Sequence, residues 1–328
     1  MSELPFLGGE GELPLVSVVI PSYNHEAYVA RSIQSVLDQT YPHIELVVVD
    51  DGSTDGSWEE VQRVQEATNR RFEAFQKGNG GVSSTLNYGI ARTRGSLVAV
   101  LASDDYFLPS KIEKQVTALA ALGPDYGLIH TSAYNDHMDG RLIDITGLYP
   151  AAKGAQFFEL VSLQVTAVAP SVLFKREVYE EVGGFDESLV AEDLDFYAAI
   201  AFHGHKLHYI PEPLVVKTYT GSNLGLNVEG NFEAHLRTVH KYESHLDAEE
   251  YSVALANVYL SKGRSAAGSG RRLLALGAYR EAARLQKSPR PYAEWVTRSA
   301  RSLTLGLLPA SLRSWLRGLR AVRSQPLL

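Results

Sequence analysis

Three acidic clusters carry the chemistry that this chain advertises. Asp50-Asp51 follows the apolar run Ile44-Glu45-Leu46-Val47-Val48-Val49, Asp104-Asp105 follows Leu97-Val98-Ala99-Val100-Leu101, and Glu192-Asp193 with Asp195 opens a segment of helical spacing. Adjacent ionised carboxylates at the end of a buried strand repel each other unless a cation offsets them. Oxygen donors of this kind suit Mg2+ or Mn2+, with diphosphate oxygens and water completing the shell. Ser103-Asp104-Asp105 is therefore the strongest local signal, set against the plainer reading of two solvated turn aspartates ahead of Pro109. Together with Pro21-Ser22-Tyr23-Asn24, the acids point to a metal-dependent site for an activated phosphate compound.

The other candidates each have two readings. Pro21-Ser22-Tyr23-Asn24 leaves a buried strand carrying an aromatic ring able to stack on a base; it is equally a proline stop with Asn24 capping the next helix. Asp50-Asp51-Gly52 is turn chemistry with Ser53, Thr54 or Asp55 as helix cap, or it places a carboxylate where the imide nitrogen of uracil can donate to it. Lys77 with Asn79-Gly80-Gly81 finishes a base and ribose pocket or is a surface lysine beside a glycine turn. Acids at 192, 193 and 195 also satisfy a helix dipole. His203, His205 and His208 fit no usual ligand spacing and read as polar loop and strand residues.

Alternating elements must position these groups. Val16-Ser17-Val18-Val19-Ile20 predicts a first buried strand, and Val29, Ile33, Val36 and Leu37 fall on one helical face. Strands follow at 44–49, near 71–75 and at 97–101, with a helical stretch from Asn79-Gly80-Gly81 to about Arg94. Strand, helix, strand, helix specifies a mostly parallel sheet with helices on both faces. The middle is mixed, with strands at 127–130, 171–174, 207–210 and 214–218, a turn at Met138-Asp139-Gly140-Arg141 and a helix over 192–203. Beyond about Gly225 four or five helices are expected, punctuated by Gly263, Gly268, Pro289, Pro291 and Pro309.

Composition narrows the class. The 328 residues support one large domain and an appendage, and the absence of cysteine excludes disulfides and thiolate metal sites. No uninterrupted apolar run approaches the roughly 20 residues of a membrane span, and the start of the chain lacks a signal-peptide pattern. The net charge of −7 is uneven: residues 262–328 hold fourteen basic side chains and two acids, the preceding 261 seventeen and thirty-six. Leu312, Trp315, Leu316 and Leu319 share a helical face opposed by Arg313, Arg317 and Arg320, an amphipathic basic helix suited to an anionic membrane, to the catalytic domain or to a second subunit. Nucleic acid is disfavoured by the acidic body and by the lack of interleaved aromatics.

The segment 16–24, Asp50-Asp51-Gly52-Ser53-Thr54-Asp55, Ser103-Asp104-Asp105, and Gly183-Gly184-Phe185-Asp186 followed by Glu192-Asp193 closely resemble the family 2 glycosyltransferases. The resemblance covers about residues 15–222 and implies a GT-A fold, Rossmann-like, and inverting transfer. It divides the chain into a flexible segment 1–14, a catalytic domain 15–225 and a basic helical region 226–328. It implies a nucleotide-sugar site of Pro21, Ser22, Tyr23, Asn24, Asp51, Lys77, Gly81, Ser103, Asp104 and Lys217. Asp51 would read the base, Asp105 bind Mn2+ or Mg2+, Asp104 face the ribose or a metal-bound water, and Asp193 act as catalytic base, with Glu192 and Asp195 as neighbouring candidates. The implied donor is a UDP-sugar and the acceptor a glycan or lipid-linked oligosaccharide of bacterial-type cell-surface polysaccharide synthesis. A cytoplasmic enzyme, peripheral on the inner face of the membrane and open to homo-oligomerisation, is the expectation.

Two departures stand out. Phe196-Tyr197-Ala198-Ala199 replaces the tryptophan and basic residue that many relatives carry after the acidic pair. Lys217-Thr218-Tyr219-Thr220-Gly221-Ser222 puts tyrosine where many have a histidine. An impaired nucleotide-sugar-binding partner of another transferase is thus an alternative. So are a glycoside hydrolase, needing neither metal nor nucleotide, and a membrane-surface scaffold.

Overall fold

The computed structural model describes residues 13–68, 71–137, 141–146, 154, 157–189, 192–220 and 227–287. Residues 1–12, the turn at 138–140, Gly221-Ser222, and the punctuation and amphipathic helix expected beyond 287 lie outside the described residues. The chain divides into two compact units, Met1–Leu224 and Gly225–Leu328.

In the first unit the apolar runs form the strands they predict. β1 (Val16–Ser22) pairs in parallel with β2 (Ile44–Asp50) and with β4 (Leu97–Val100), and β3 (Glu73–Gln76) extends β2. The remaining strands are β5 (Tyr106–Phe107), β6 (Tyr126–Asp136), β7 (Leu142–Asp144), β8 (Leu173–Lys175) and β9 (Lys206–Thr218). The sheet order is β3-β2-β1-β4-β8-β6-β9-β5, with β7 on β6. Antiparallel pairing enters where β8 meets β4 and β6, and where β5 meets β9.

Period-two alternation explains the two layers. Val16, Val18, Ile20, Leu97 and Ala99 face one core with α1 (Val29–Leu37), α2 (Ser57–Ala67) and α4 (Lys111–Ala120). Val19, Val98 and Val100 face the other, closed by α3 (Gly81–Ile90), α5 (Phe157–Val161), α6 (Arg176–Glu181) and α7 (Asp193–Phe202). Each fully buried valine or isoleucine contributes about 1.5–3 kcal/mol, so the strand ends that carry the acids are anchored from both sides.

One expectation is corrected here: the segments at 207–210 and 214–218 are a single strand. β9 runs through Pro211 and Pro213 because its parallel partner β6 absorbs them with register shifts between Thr131 and Ala133.

The second unit holds α8 (Val228–Lys241), α9 (Ala248–Gly268) and α10 (Arg272–Gln286). Asp247 and Glu250 form a capping box at the start of α9. Gly263 does not punctuate as expected but lies inside α9, where a Cβ would stand 3.1 Å from the Tyr279 ring of α10. Val228, Leu260, Ala266, Ala275, Tyr279 and Ala282 make this unit's core.

Candidate active site

β1 lies between β2 and β4, and the strand order reverses there, the switch point at which open α/β sheets bind ligands beyond the carboxyl ends of their strands. Ser22, Asp50 and the turn after β4 emerge at that edge.

The two acids after β2 have different duties. Asp50, fully buried, accepts the Ser53 N–H at 3.0 Å and the Gln76 side-chain amide at 3.2 Å, which fixes the turn. Asp51, 3 % exposed, accepts Lys77 Nζ at 2.5 Å and the Gly80 N–H at 2.9 Å on Oδ1, and the Gly81 N–H at 2.8 Å on Oδ2. Gly52 permits this because it sits at φ 73° with its α-carbon so close to the next loop that a Cβ would stand 2.9 Å from the Asn79 nitrogen. Asp51, Lys77 and Gly81 are thus brought together as one cluster.

The loop after β1 is tied to the same turn. Asn24 adopts φ 54°, its N–H donates to Ser53 Oγ at 3.0 Å, and its Oδ1 accepts the Thr54 N–H at 2.8 Å. It does not cap α1, whose N-cap is Tyr28. Tyr23 is 45 % exposed, leaving its ring available for stacking. Ser22 Oγ is buried and has no hydrogen-bond partner among the described residues.

Asp104 and Asp105 are both buried just beyond β4. Asp105 Oδ1 accepts the Thr218 N–H from the end of β9 at 2.8 Å. Burial, then the charge of Asp104, pushes Asp105 up to about 7, against the opposing pull of Lys217, the Thr218 N–H and Arg31. The hard oxygen donors of this adjacent pair fit a divalent cation. Among the described residues no three acidic or histidine side chains converge as a metal cluster, so ligand oxygens and water would have to complete the coordination. Tyr219 stacks on His137, ring centroids 4.5 Å apart at 15°.

Two neighbours escaped the sequence reading. His25 places Nδ1 2.7 Å from Ser103 Oγ and Nε2 3.8 Å from Asp104 Oδ2. Arg31, on α1, donates to Thr218 Oγ1 at 2.8 Å and to the Asp104 carbonyl at 3.3 Å, and lies 4.3 Å over the Tyr106 ring. The only sequence signal for either was position: one follows Asn24 directly, and the other sits in the helix that the loop enters.

Glu192 is the N-cap of α7 and Asp193 its first residue. Burial and the charge of Asp193 push Glu192 up to about 8. Asp195 is buried, whereas Asp193 is half-buried and its Oδ1 accepts the Leu194 N–H at 2.9 Å. The segment before the pair is held on α3: Ser83 donates to the Leu189 carbonyl at 3.2 Å, and Asn87 to the Phe185 carbonyl at 2.8 Å. α3 is also the helix whose first N–H groups hold Asp51.

Residues 17–183 match the model of glycosyl transferase family 2. The chain belongs to that family. An uncharacterized glycosyltransferase of Rickettsia conorii is 34 % identical over 215 residues, 64 % of this chain and 35 % of the relative, so the chain spans only about a third of that protein's length. Bacillus subtilis TuaG, provisionally named as a teichuronic acid biosynthesis glycosyltransferase, is 41 % identical over 103 residues, 31 % of this chain and 41 % of its own. Among solved structures, the Pyrobaculum calidifontis mannosyltransferase PcManGT, in complex with GDP-Man and Mn2+, superposes with TM-score 0.61 at 20 % identity, covering 93 % of this chain and 83 % of that one. S. aureus TarS 1–349 with UDP-GlcNAc gives 0.53 at 16 %, covering 84 % and 92 %. At such identities the likeness establishes the fold alone, the expected GT-A arrangement of a mostly parallel sheet between helical layers.

Proposed function

We propose that this family 2 glycosyltransferase is an inverting enzyme that moves a sugar from a UDP-sugar to a hydroxyl of a glycan or lipid-linked oligosaccharide in bacterial-type cell-surface polysaccharide synthesis. The observation that carries this reading is the buried Asp104-Asp105 pair at the sheet's switch point, with Asp105 pushed up to about 7 by burial and then by the charge of Asp104. Asp105, with Asp104 beside it, would hold Mn2+ or Mg2+ against the donor diphosphate. A cation bound there offsets the charge that develops on the departing diphosphate. PcManGT with GDP-Man, and TarS with UDP-GlcNAc, support a nucleotide-sugar donor, and the teichuronic acid biosynthesis in the name of TuaG supports a role in cell-surface polysaccharide synthesis.

This chain's own residues supply the rest. Tyr23 offers its exposed ring to one face of the base. An ionised carboxylate has about four acceptor sites, and three on Asp51 are taken by Lys77, Gly80 and Gly81. One remains, which suits the single imide N–H of uracil better than the two adjacent donors of guanine. Lys217 adds positive charge beside the diphosphate. Asp193 accepts the proton of the acceptor hydroxyl as that oxygen attacks the anomeric carbon from the face opposite the diphosphate, inverting configuration. Burial and the neighbouring Asp193 charge push Glu192 upward, and Asp195 is buried, so half-buried Asp193 is the acid of the three suited to that role.

Tyr219 favours a second reading, a donor-binding partner without turnover of its own; donor hydrolysis or transfer by the purified protein would exclude it. Placement in the cytoplasm, peripheral on the inner membrane face through the basic region 226–328, belongs to the proposal and is supported by charge and sequence pattern. Among the described residues no helix is long and apolar enough to cross a membrane. Thermal unfolding with UDP- and GDP-sugars, with and without Mn2+, tests the donor assignment. UDP-sugars with Mn2+ should raise the midpoint most; stabilisation by GDP-sugars alone would overturn it.

A further inference from the structure

We propose that His25 is a positioning residue that couples the base-binding loop to the metal-binding carboxylates, so that filling one part of the donor site organises the other. The inference rests on the donor reading above. His25 belongs to both parts at once. Its backbone N–H donates to Ser57 Oγ at 2.8 Å at the start of α2, while its side chain crosses to the turn after β4 and meets Ser103 and Asp104.

The neighbours of His25 are locked to the loop after β2 on either side. Asn24 exchanges bonds with Ser53 and Thr54, the Glu26 N–H donates to Asp55 Oδ2 at 3.2 Å, and the Gly56 N–H donates to the Glu26 carboxylate at 3.2 Å. The backbone of His25 therefore moves with the turn that presents Asp51. At the far end, Asp104 is buried beside Asp105. Where that carboxylate stands decides how well the pair accepts a cation. The ring spans the gap between the Ser103 hydroxyl, met by Nδ1, and Asp104 Oδ2, faced by Nε2. The 3.8 Å separation is an electrostatic contact rather than a hydrogen bond. His25 thus steers Asp104 without binding the donor itself, which separates its role from that of Asp51 or Asp105.

Such coupling is reciprocal. Occupation of the base loop fixes the imidazole, which improves the cation site; cation binding fixes Asp104, which steadies the loop. A histidine serving only the local fold would shift all binding together, whereas a coupling histidine changes the gain that the cation confers.

The test measures UDP and GDP affinity by calorimetry, with Mn2+ and with a chelator, for the full chain and for His25→Ala, His25→Asn and His25→Gln. The asparagine amide takes the place of Nδ1 toward Ser103, and the glutamine amide reaches the position of Nε2 toward Asp104. In His25→Ala and His25→Asn, metal-free UDP affinity should stay within about twofold while the Mn2+-dependent gain falls by about fivefold or more. His25→Gln should keep most of the gain. An unchanged gain in the alanine and asparagine variants overturns the inference, as does an equal loss of metal-free binding in all three, which would assign His25 to loop structure. If the unsubstituted protein binds neither UDP nor GDP with Mn2+, the donor reading falls and takes the inference with it; UDP binding with an unchanged gain leaves the donor reading standing.

Discussion

Replacing Asp51 by asparagine removes the keystone of the base loop without changing its size. The carboxylate accepts three donors: an ammonium at 2.5 Å and two backbone N–H groups at 2.9 and 2.8 Å. Asparagine keeps one oxygen and turns the other position into a donor, so at least one of those backbone N–H groups faces an N–H and loses its partner. Lys77, with its side chain only 16 % exposed, also loses its counter-charge. Hydrogen bonds to charged groups contribute about 1.5–3 kcal/mol, and a buried donor left unsatisfied costs about 1–3 kcal/mol. Overlap between these effects brings the expected loss to about 2–4 kcal/mol. Urea unfolding, followed by a signal from the first unit, reads it as a lowered midpoint at unchanged slope. Lys77→Met closes a double-mutant cycle, in which the pair should show a coupling of about 1–3 kcal/mol. An Asp51→Asn variant within about 0.5 kcal/mol of the parent, or a cycle with no coupling, would refute the claim that this carboxylate organises the loop.

Other expectations follow from single sites. Burial holds the Lys111 amine, hydrogen-bonded to Gln115 Oε1 at 2.7 Å, well below its ordinary range, so the unfolded chain binds more protons between the folded and unfolded values. Stability is then greatest above the unfolded value and is lost as pH falls toward the folded one, by up to about 1.4 kcal/mol per unit; Lys111→Met should flatten this slope in denaturation series between pH 7 and 10, and an unchanged slope would contradict the assignment. Gly52→Ala forces a side chain onto φ 73° and against backbone at 2.9 Å. It should cost about 2 kcal/mol and weaken UDP binding with it, a pairing that thermal shift with and without UDP can check.

The strand ends were legible in the sequence because each is local. An apolar run followed by acids, as at Val49-Asp50-Asp51 and Leu101 to Asp105, encodes both the burial of the strand and the place where it ends. The acid pair at the start of α7 was legible for the same reason. What the sequence hid depends on distant partners. Pro211 and Pro213 read as a break because the irregular register of β6 that accommodates them is set some eighty residues earlier. Gly263 read as punctuation because its neighbour, the Tyr279 ring, belongs to another helix. The helix-cap alternative for Asn24 fails because its partners Ser53 and Thr54 lie beyond the next strand. His25 and Arg31 were invisible as site residues because their partners, Ser103, Asp104 and Thr218, are 73 to 187 positions away.

The central claim is a donor platform at the strand ends with a separate base on α7. Measuring sugar transfer and Mn2+-dependent UDP affinity side by side for Asp105→Asn and Asp193→Asn tests it most directly. Both substitutions should lower transfer by about 100-fold or more, and only Asp105→Asn should abolish the Mn2+-dependent part of UDP binding. Turnover preserved in Asp193→Asn, or donor binding lost equally in both variants, would contradict the account.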